Sequence, residues 1–227
     1  MIIPISKTRI AALLLLSVSC YGCTTSTSYL VTSYVHEYVK TESIDVRPEF
    51  ERDMIHIVPQ TIEYRVSFKS TGEEKELYDS LCVAHKDLSY NRRIYLINDI
   101  LSNSFLTPDV ISYEITCESD YDASHPAGTS LKDCVGLEFT SFQEFIDSGY
   151  TYGPKTKSLN LNELTNESLR LMKDFGKLAF RTKPETLKRH SFILTIETEH
   201  GLKYSTKFTR DFPLTHLETE TAVYSKQ

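Results

Sequence analysis

The chain has 227 residues, 40% of them hydrophobic and 25% charged. That balance supports a buried core and excludes both wholesale disorder and a polytopic membrane protein. Lys and Arg number 25 against 31 Asp and Glu; the net charge of −6 repels phosphate backbones and no basic run occurs, so nucleic acid is excluded as a partner.

Lys7 and Arg9 precede a nine-residue apolar run at residues 10–18 (IAALLLLSV). A bilayer needs about 20 residues, so this run fits the core of a secretory signal instead. Small residues stand directly before Cys20, and Gly22 stands directly before Cys23. An apolar run closing on small residues and a cysteine resembles a bacterial lipoprotein signal, in which the cysteine is acylated and becomes the mature N-terminus. Cys20 is the first choice because it follows the run directly; Cys23 is the alternative, since Ser17 stands where such signals usually carry Leu. Loss of the signal peptide, residues 1–19, leaves 23 basic residues against 31 acidic and a charge of −8. Residues 20–27 are uncharged and small, as a tether would be. One acyl chain anchors only marginally, whereas several hold firmly. No acidic cluster follows the cysteine, and the expected location is the periplasmic face of an outer membrane.

With Cys20 acylated, Cys23, Cys82, Cys117 and Cys134 remain, and four cysteines allow three full pairings. An oxidising compartment permits disulfides. Buried free thiols acting as small hydrophobes are the preferred reading, and Cys117–Cys134 is the disulfide to test first.

Fourteen Tyr, with Phe, Ile, Val and Thr, favour strands. Residues 29–39 predict a strand, with Tyr29, Val31, Ser33 and Val35 in one phase. Residues 40–54, charged and holding Pro48, read as a connection. Residues 61–69 alternate most clearly: Ile62, Tyr64, Val66 and Phe68 on one face, Glu63, Arg65, Ser67 and Lys69 on the other. Residues 73–90 are either helical or irregular, and 93–97 form a short apolar run. Ile111, Tyr113, Ile115 and Cys117 share a second strand face. Residues 118–134 read as a loop, with a type I turn at His125-Pro126-Ala127-Gly128. Residues 141–148 predict a short helix, opened by a Ser141–Glu144 capping box and carrying Phe142, Phe145 and Ile146 on one face. Residues 150–165 read as an exposed loop, 166–173 as possible helix, and Leu178 and Phe180 as a strand. A hairpin closes the pattern: Phe192, Leu194 and Ile196 return through Leu202, Tyr204, Thr206 and Phe208. The expected fold is all-β with minor α, an immunoglobulin-like two-sheet β-sandwich with one or two short helices. One domain spans 28–217, and 218–227 form a polar tail.

The acidic loop offers Asp120, Asp122 and His125. Asp-x-Asp can face a hard cation, but calcium takes six to eight oxygens and this loop has too few. Turn chemistry, with the carboxylates accepting backbone N–H groups, is preferred, and no metal or other cofactor is expected. The seven His fall in no H-x-x-x-H or H-E-x-x-H spacing, and G-x-S-x-G is absent. Tyr150 and Tyr152, near Pro154, could form an aromatic binding platform; packing over the sandwich end is the preferred reading.

The strand ISYEIT (111–116), the segment SDYDASHPAGTSLKD (119–133), the Phe-rich short helix and the closing hairpin together resemble uncharacterised lipoproteins of Bacteroidetes-type bacteria. The likeness spans residues 105–210, is closest over YDASHPAGTSLKD, and is poor over 73–105. It implies a compact β-rich domain on a lipid tether, and it brings no activity and no functional residue. The expected function is a lipid-anchored envelope module that binds a protein or glycan without catalysis. The alternative is an envelope glycan hydrolase, which needs two carboxylates roughly 5–9.5 Å apart across a cleft.

Overall fold

The computed structural model describes residues 27–49, 53–96, 103–186 and 188–212. The expected signal, both candidate acylated cysteines, most of the tether and the polar tail lie outside these residues. Among the described residues no helix is long and apolar enough to cross a membrane.

In chain order the strands β1 (Thr27–Val31), β2 (Glu37–Glu49) and β3 (Met54–Ser67) lead to helix α1 (Glu73–Ala84). Then come β4 (Arg92–Leu96), β5 (Ser104–Leu106), β6 (Val110–Cys117), β7 (Val135–Thr140) and the short helix α2 (Gln143–Asp147). The strands β8 (Thr156–Asn160), β9 (Lys177–Phe180), β10 (Arg189–Thr198) and β11 (Lys203–Asp211) complete the fold. The protein is mostly β, with minor helix, as the strand-rich composition predicts.

A six-stranded sheet runs β5-β2-β3-β9-β7-β8, and a three-stranded sheet runs β11-β10-β6. They face each other as a sandwich. Neighbours pair antiparallel except β5, which runs parallel to β2. A separate ribbon pairs β1 with β4. Inward residues alternate as the sequence pattern demands: Phe192, Leu194 and Ile196 are buried on β10, Tyr113, Ile115 and Cys117 on β6. Phe192 lies opposite Phe208, and their rings stack at 5.4 Å. The Tyr204 hydroxyl donates to the Thr41 carbonyl at 2.9 Å and ties β11 to β2.

A second, smaller core lies on the other face of the larger sheet. There Tyr38, Val66 and Phe105 meet Tyr78 and Cys82 of α1 and Ile146 of α2. Tyr78 and Cys82 are four residues apart and form the buried stripe of the helix. Glu73, Glu74 and Glu76 favour its start, where backbone N–H groups are unpaired.

Several local expectations are corrected. Residues 40–54 are the body of a long hairpin, with Pro48 opposite Ile55. Pro48 is tolerated because β5 covers β2 only at residues 37–39, leaving a free edge where no N–H is required. The predicted strand 29–39 splits between β1 and β2, and the loop 150–165 contains β8. The Ser141–Glu144 capping box does not form: Phe142 is the N-cap, Ser141 donates to the Arg170 carbonyl at 2.7 Å, and Glu144 pairs with Lys157. The predicted turn is shifted by one residue. Thr129 N–H closes on the Pro126 carbonyl at 3.0 Å, with Gly128 third in the turn at φ 78°. A type II turn needs positive φ there, which glycine adopts without cost.

Candidate functional site

Three distant segments converge on a cleft of about 480 Å³. Leu77, Leu81 and Ala84 of α1 form one wall, Lys40 and Tyr64 of the β2–β3 hairpin another, and the β10–β11 turn closes the mouth with Glu199 and His200. His85, Asp109 and Arg170 supply its polar lining.

His85 caps α1 and is 5% exposed. Gln143 donates through Nε2 to the His85 carbonyl at 2.9 Å, so its Oε1 is the acceptor facing His85 Nδ1, also at 2.9 Å. That reciprocity places the proton on Nδ1. The ring stacks on Tyr38 with centroids 5.8 Å apart. Asp109, also buried, accepts Leu171 N–H at 2.9 Å and Arg170 Nε at 3.4 Å, and lies 3.8 Å from His85 Nδ1. Arg170 also donates to the Ala84 carbonyl at 3.1 Å. The floor is therefore made of fixed charges and dipoles. At the rim, His200 holds φ 68°, a left-handed conformation uncommon for a residue with a Cβ. Lys40 pairs with Glu63 at 3.0 Å and lies over the Tyr64 ring.

None of these cleft residues is marked by sequence spacing. His85, Asp109, Arg170 and His200 lie on four different connections, and only tertiary folding brings them together.

The residues that sequence did mark lie elsewhere. Tyr150 is part of the scaffold. Its hydroxyl donates to Asp87 at 2.8 Å, and its ring meets Tyr90 and Phe145 edge-on. Asp87 is fully buried and also accepts Tyr34 and Val35 N–H groups at 2.7 and 2.8 Å. Burial nonetheless raises its carboxyl above the ordinary range. Tyr152 alone of the pair is exposed, at 72%.

In the 118–134 loop, Asp120 accepts Ala127 N–H at 2.8 Å. Asp122 Oδ1 accepts Ser124 N–H at 2.8 Å and His125 N–H at 2.9 Å, as turn chemistry requires. Asp120 and Asp122 thus serve different turns. His125 sits between Asp122 and a further carboxylate, with Nδ1 2.8 Å from Asp122 and Nε2 3.1 Å from Asp133. The hydrogen bond with Asp122 raises the His125 pKa and lowers that of Asp122.

Cys117 and Cys134 are not bridged; with Cys82 they are buried free thiols, the reading preferred from sequence. Each of the two has its own imidazole. Cys117 Sγ lies 3.6 Å from His190 Nδ1, while Cys134 Sγ lies 3.7 Å from His125 Nε2. His190 is locked by Thr186, whose carbonyl accepts from Nε2 at 2.8 Å, and by the Ser119 hydroxyl 3.0 Å from Nδ1.

The chain matches no protein-family model, no curated protein and no solved structure.

Proposed function

We propose that this protein is a lipid-anchored, non-catalytic binding module of the bacterial cell envelope, and that the cleft beside α1 seats its ligand. The observation that carries the binding role is the cleft's composition: an apolar wall with an aromatic ring over a floor of immobilised polar groups. Pockets of this size and mixture suit a small ligand or one segment of a larger one. A sugar ring presents apolar faces and directional hydroxyls, so an envelope glycan segment fits the Tyr64 ring and the polar floor together. The anchor rests on Lys7, Arg9, the apolar run and Cys20, and the absence of an acidic cluster after it favours the periplasmic face of an outer membrane. The glycan-hydrolase alternative needs two carboxylates free to act. Asp109, the buried acid of the cleft, is committed to Leu171 N–H and Arg170.

Two measurements test this reading. Intact masses of wild type, Cys20→Ala and Cys23→Ala from envelope fractions should show acylation lost only in Cys20→Ala; unchanged masses in both variants remove the anchor. Titration of the full chain with envelope oligosaccharides should show binding without turnover. Tyr64→Ala should weaken it about tenfold, the loss of roughly 1.4 kcal/mol of ring contact. Turnover would establish the hydrolase, and no binding to any fragment would remove the cleft assignment.

A further inference from the structure

The His125 imidazole has two carboxylate neighbours with different duties. Asp122 Oδ1 already accepts two backbone N–H groups and faces Nδ1 at 2.8 Å, so it fixes the ring's orientation and holds the proton on Nδ1. Nε2 then points its lone pair at Asp133, whose two oxygens lie 3.1 and 3.3 Å away. A lone pair facing a carboxylate is repulsive unless a positive charge sits between them. Cys134 Sγ is 3.7 Å from the same Nε2 and only 4% of its residue is exposed. Sγ is 3.8 Å from Nδ1 as well, so it lies alongside the ring, and a side-chain rotation brings it to the Nε2 lone pair beside the carboxylate. Tetrahedral coordination at zinc bond lengths places such donors roughly 3.3–3.6 Å apart, against 3.1 Å from Nε2 to Asp133 and 3.7 Å from Nε2 to Sγ. The ligand atoms of Asp122, His125 and Cys134 all lie within 4.8 Å of one another.

We propose that His125 Nε2, Cys134 Sγ and the Asp133 carboxylate bind a divalent transition metal of the zinc class, with Asp122 as the positioning residue. Nitrogen and sulfur donors select zinc-like ions over calcium or magnesium. An Asp that holds the distal N–H of a metal-bound histidine is a recurrent outer-shell arrangement. Asp133 is 56% exposed at its side chain, so solvent reaches the fourth position. The site depends on neither the lipid anchor nor the cleft.

The test uses the full chain with its thiols reduced, titrated with cobalt(II) and then zinc. The expected result is one cobalt per chain with a thiolate-to-metal charge-transfer absorption, displaced by zinc. Cys134→Ser should abolish the charge-transfer band. Asp122→Asn should weaken binding roughly 10- to 100-fold. Asp133→Asn, at an exposed position that leaves folding intact, should weaken it at least as much. No stoichiometric binding, a cobalt spectrum lacking the thiolate band, or affinity unchanged in Asp133→Asn would each overturn the site, leaving His125 as a protonated bridge between two acids.

Discussion

His36 is 1% exposed, and its ring meets Phe68 edge-on at 5.8 Å. Burial, with the charge of Lys173 added, lowers its pKa from 6.5 to about 4. The folded ring refuses a proton that the unfolded chain accepts, so stability must fall as pH drops from 6.5 to about 4. The full shift corresponds to at most about 3 kcal/mol, reduced by solvent screening. Two other groups act with the opposite sign. Asp87, raised by burial, contributes stability that is lost as pH rises through its folded pKa, and so does His125, raised by Asp122. Comparing urea midpoints of wild type and His36→Gln across that window isolates the His36 contribution. The variant should lose less stability in acid; parallel curves would show that His36 is not the acid-labile group.

At the scale of elements, the long β2–β3 hairpin serves two cores on opposite faces of its sheet. Tyr38 and Val66 face the helices, while Ile44, Ile55 and Ile57 face the second sheet. Tyr38 and Ile44 are six residues apart and would share a face under strict alternation. The register shifts three times between Lys40 and Ile44, passing over Glu63 and Gln60 on β3 and Glu42 on β2, and this one extra residue on β2, a bulge, turns Ile44 to the other side. Deleting Glu42 should return Ile44 to the wrong face and cost about 2–5 kcal/mol, the usual loss for a buried Ile. Glu42→Ala, at an exposed position, should cost under about 0.5 kcal/mol. Equal losses in the two variants by urea denaturation would discredit the bulge account. The same bulge explains why residues 40–54 resist reading from sequence. Alternation is legible in 61–69 because the face of Ile62, Tyr64 and Val66 stays less exposed than that of Thr61, Glu63 and Arg65, and illegible where the buried face changes midway.

Across the whole molecule, the two cores are joined through shared strands. Ile57 lies fully buried in the sandwich core and Ile146, 4% exposed, in the helix-side core. Since β2 and β3 line both, neither core can lose its packing without disturbing the other. Unfolding should therefore be a single transition by far-ultraviolet dichroism and tyrosine fluorescence. Ile57→Ala and Ile146→Ala should each lower that one transition, by about 2–5 kcal/mol. An early separate transition in Ile146→Ala would mean that the helix side melts alone.

Sequence by itself determined what depends on neighbours along the chain. The period-two faces of 61–69, 111–117 and the closing hairpin follow from strand geometry, and so does the mostly-β class. The apolar stripe of 141–148 is equally local, because a helix turn spans only four residues. Tertiary structure decided what depends on partners far apart in sequence. The capping box failed because Ser141 found the Arg170 carbonyl, 29 residues away. Tyr150 is held half-buried because its hydroxyl donates to Asp87, a buried acceptor 63 residues away. The cleft exists only because His85, Asp109, Arg170 and His200 are carried together by packing of α1 and the β10–β11 turn against one sheet. Local pattern reports which face of an element is apolar; which groups meet across elements is set by the burial that folding demands of all of them at once.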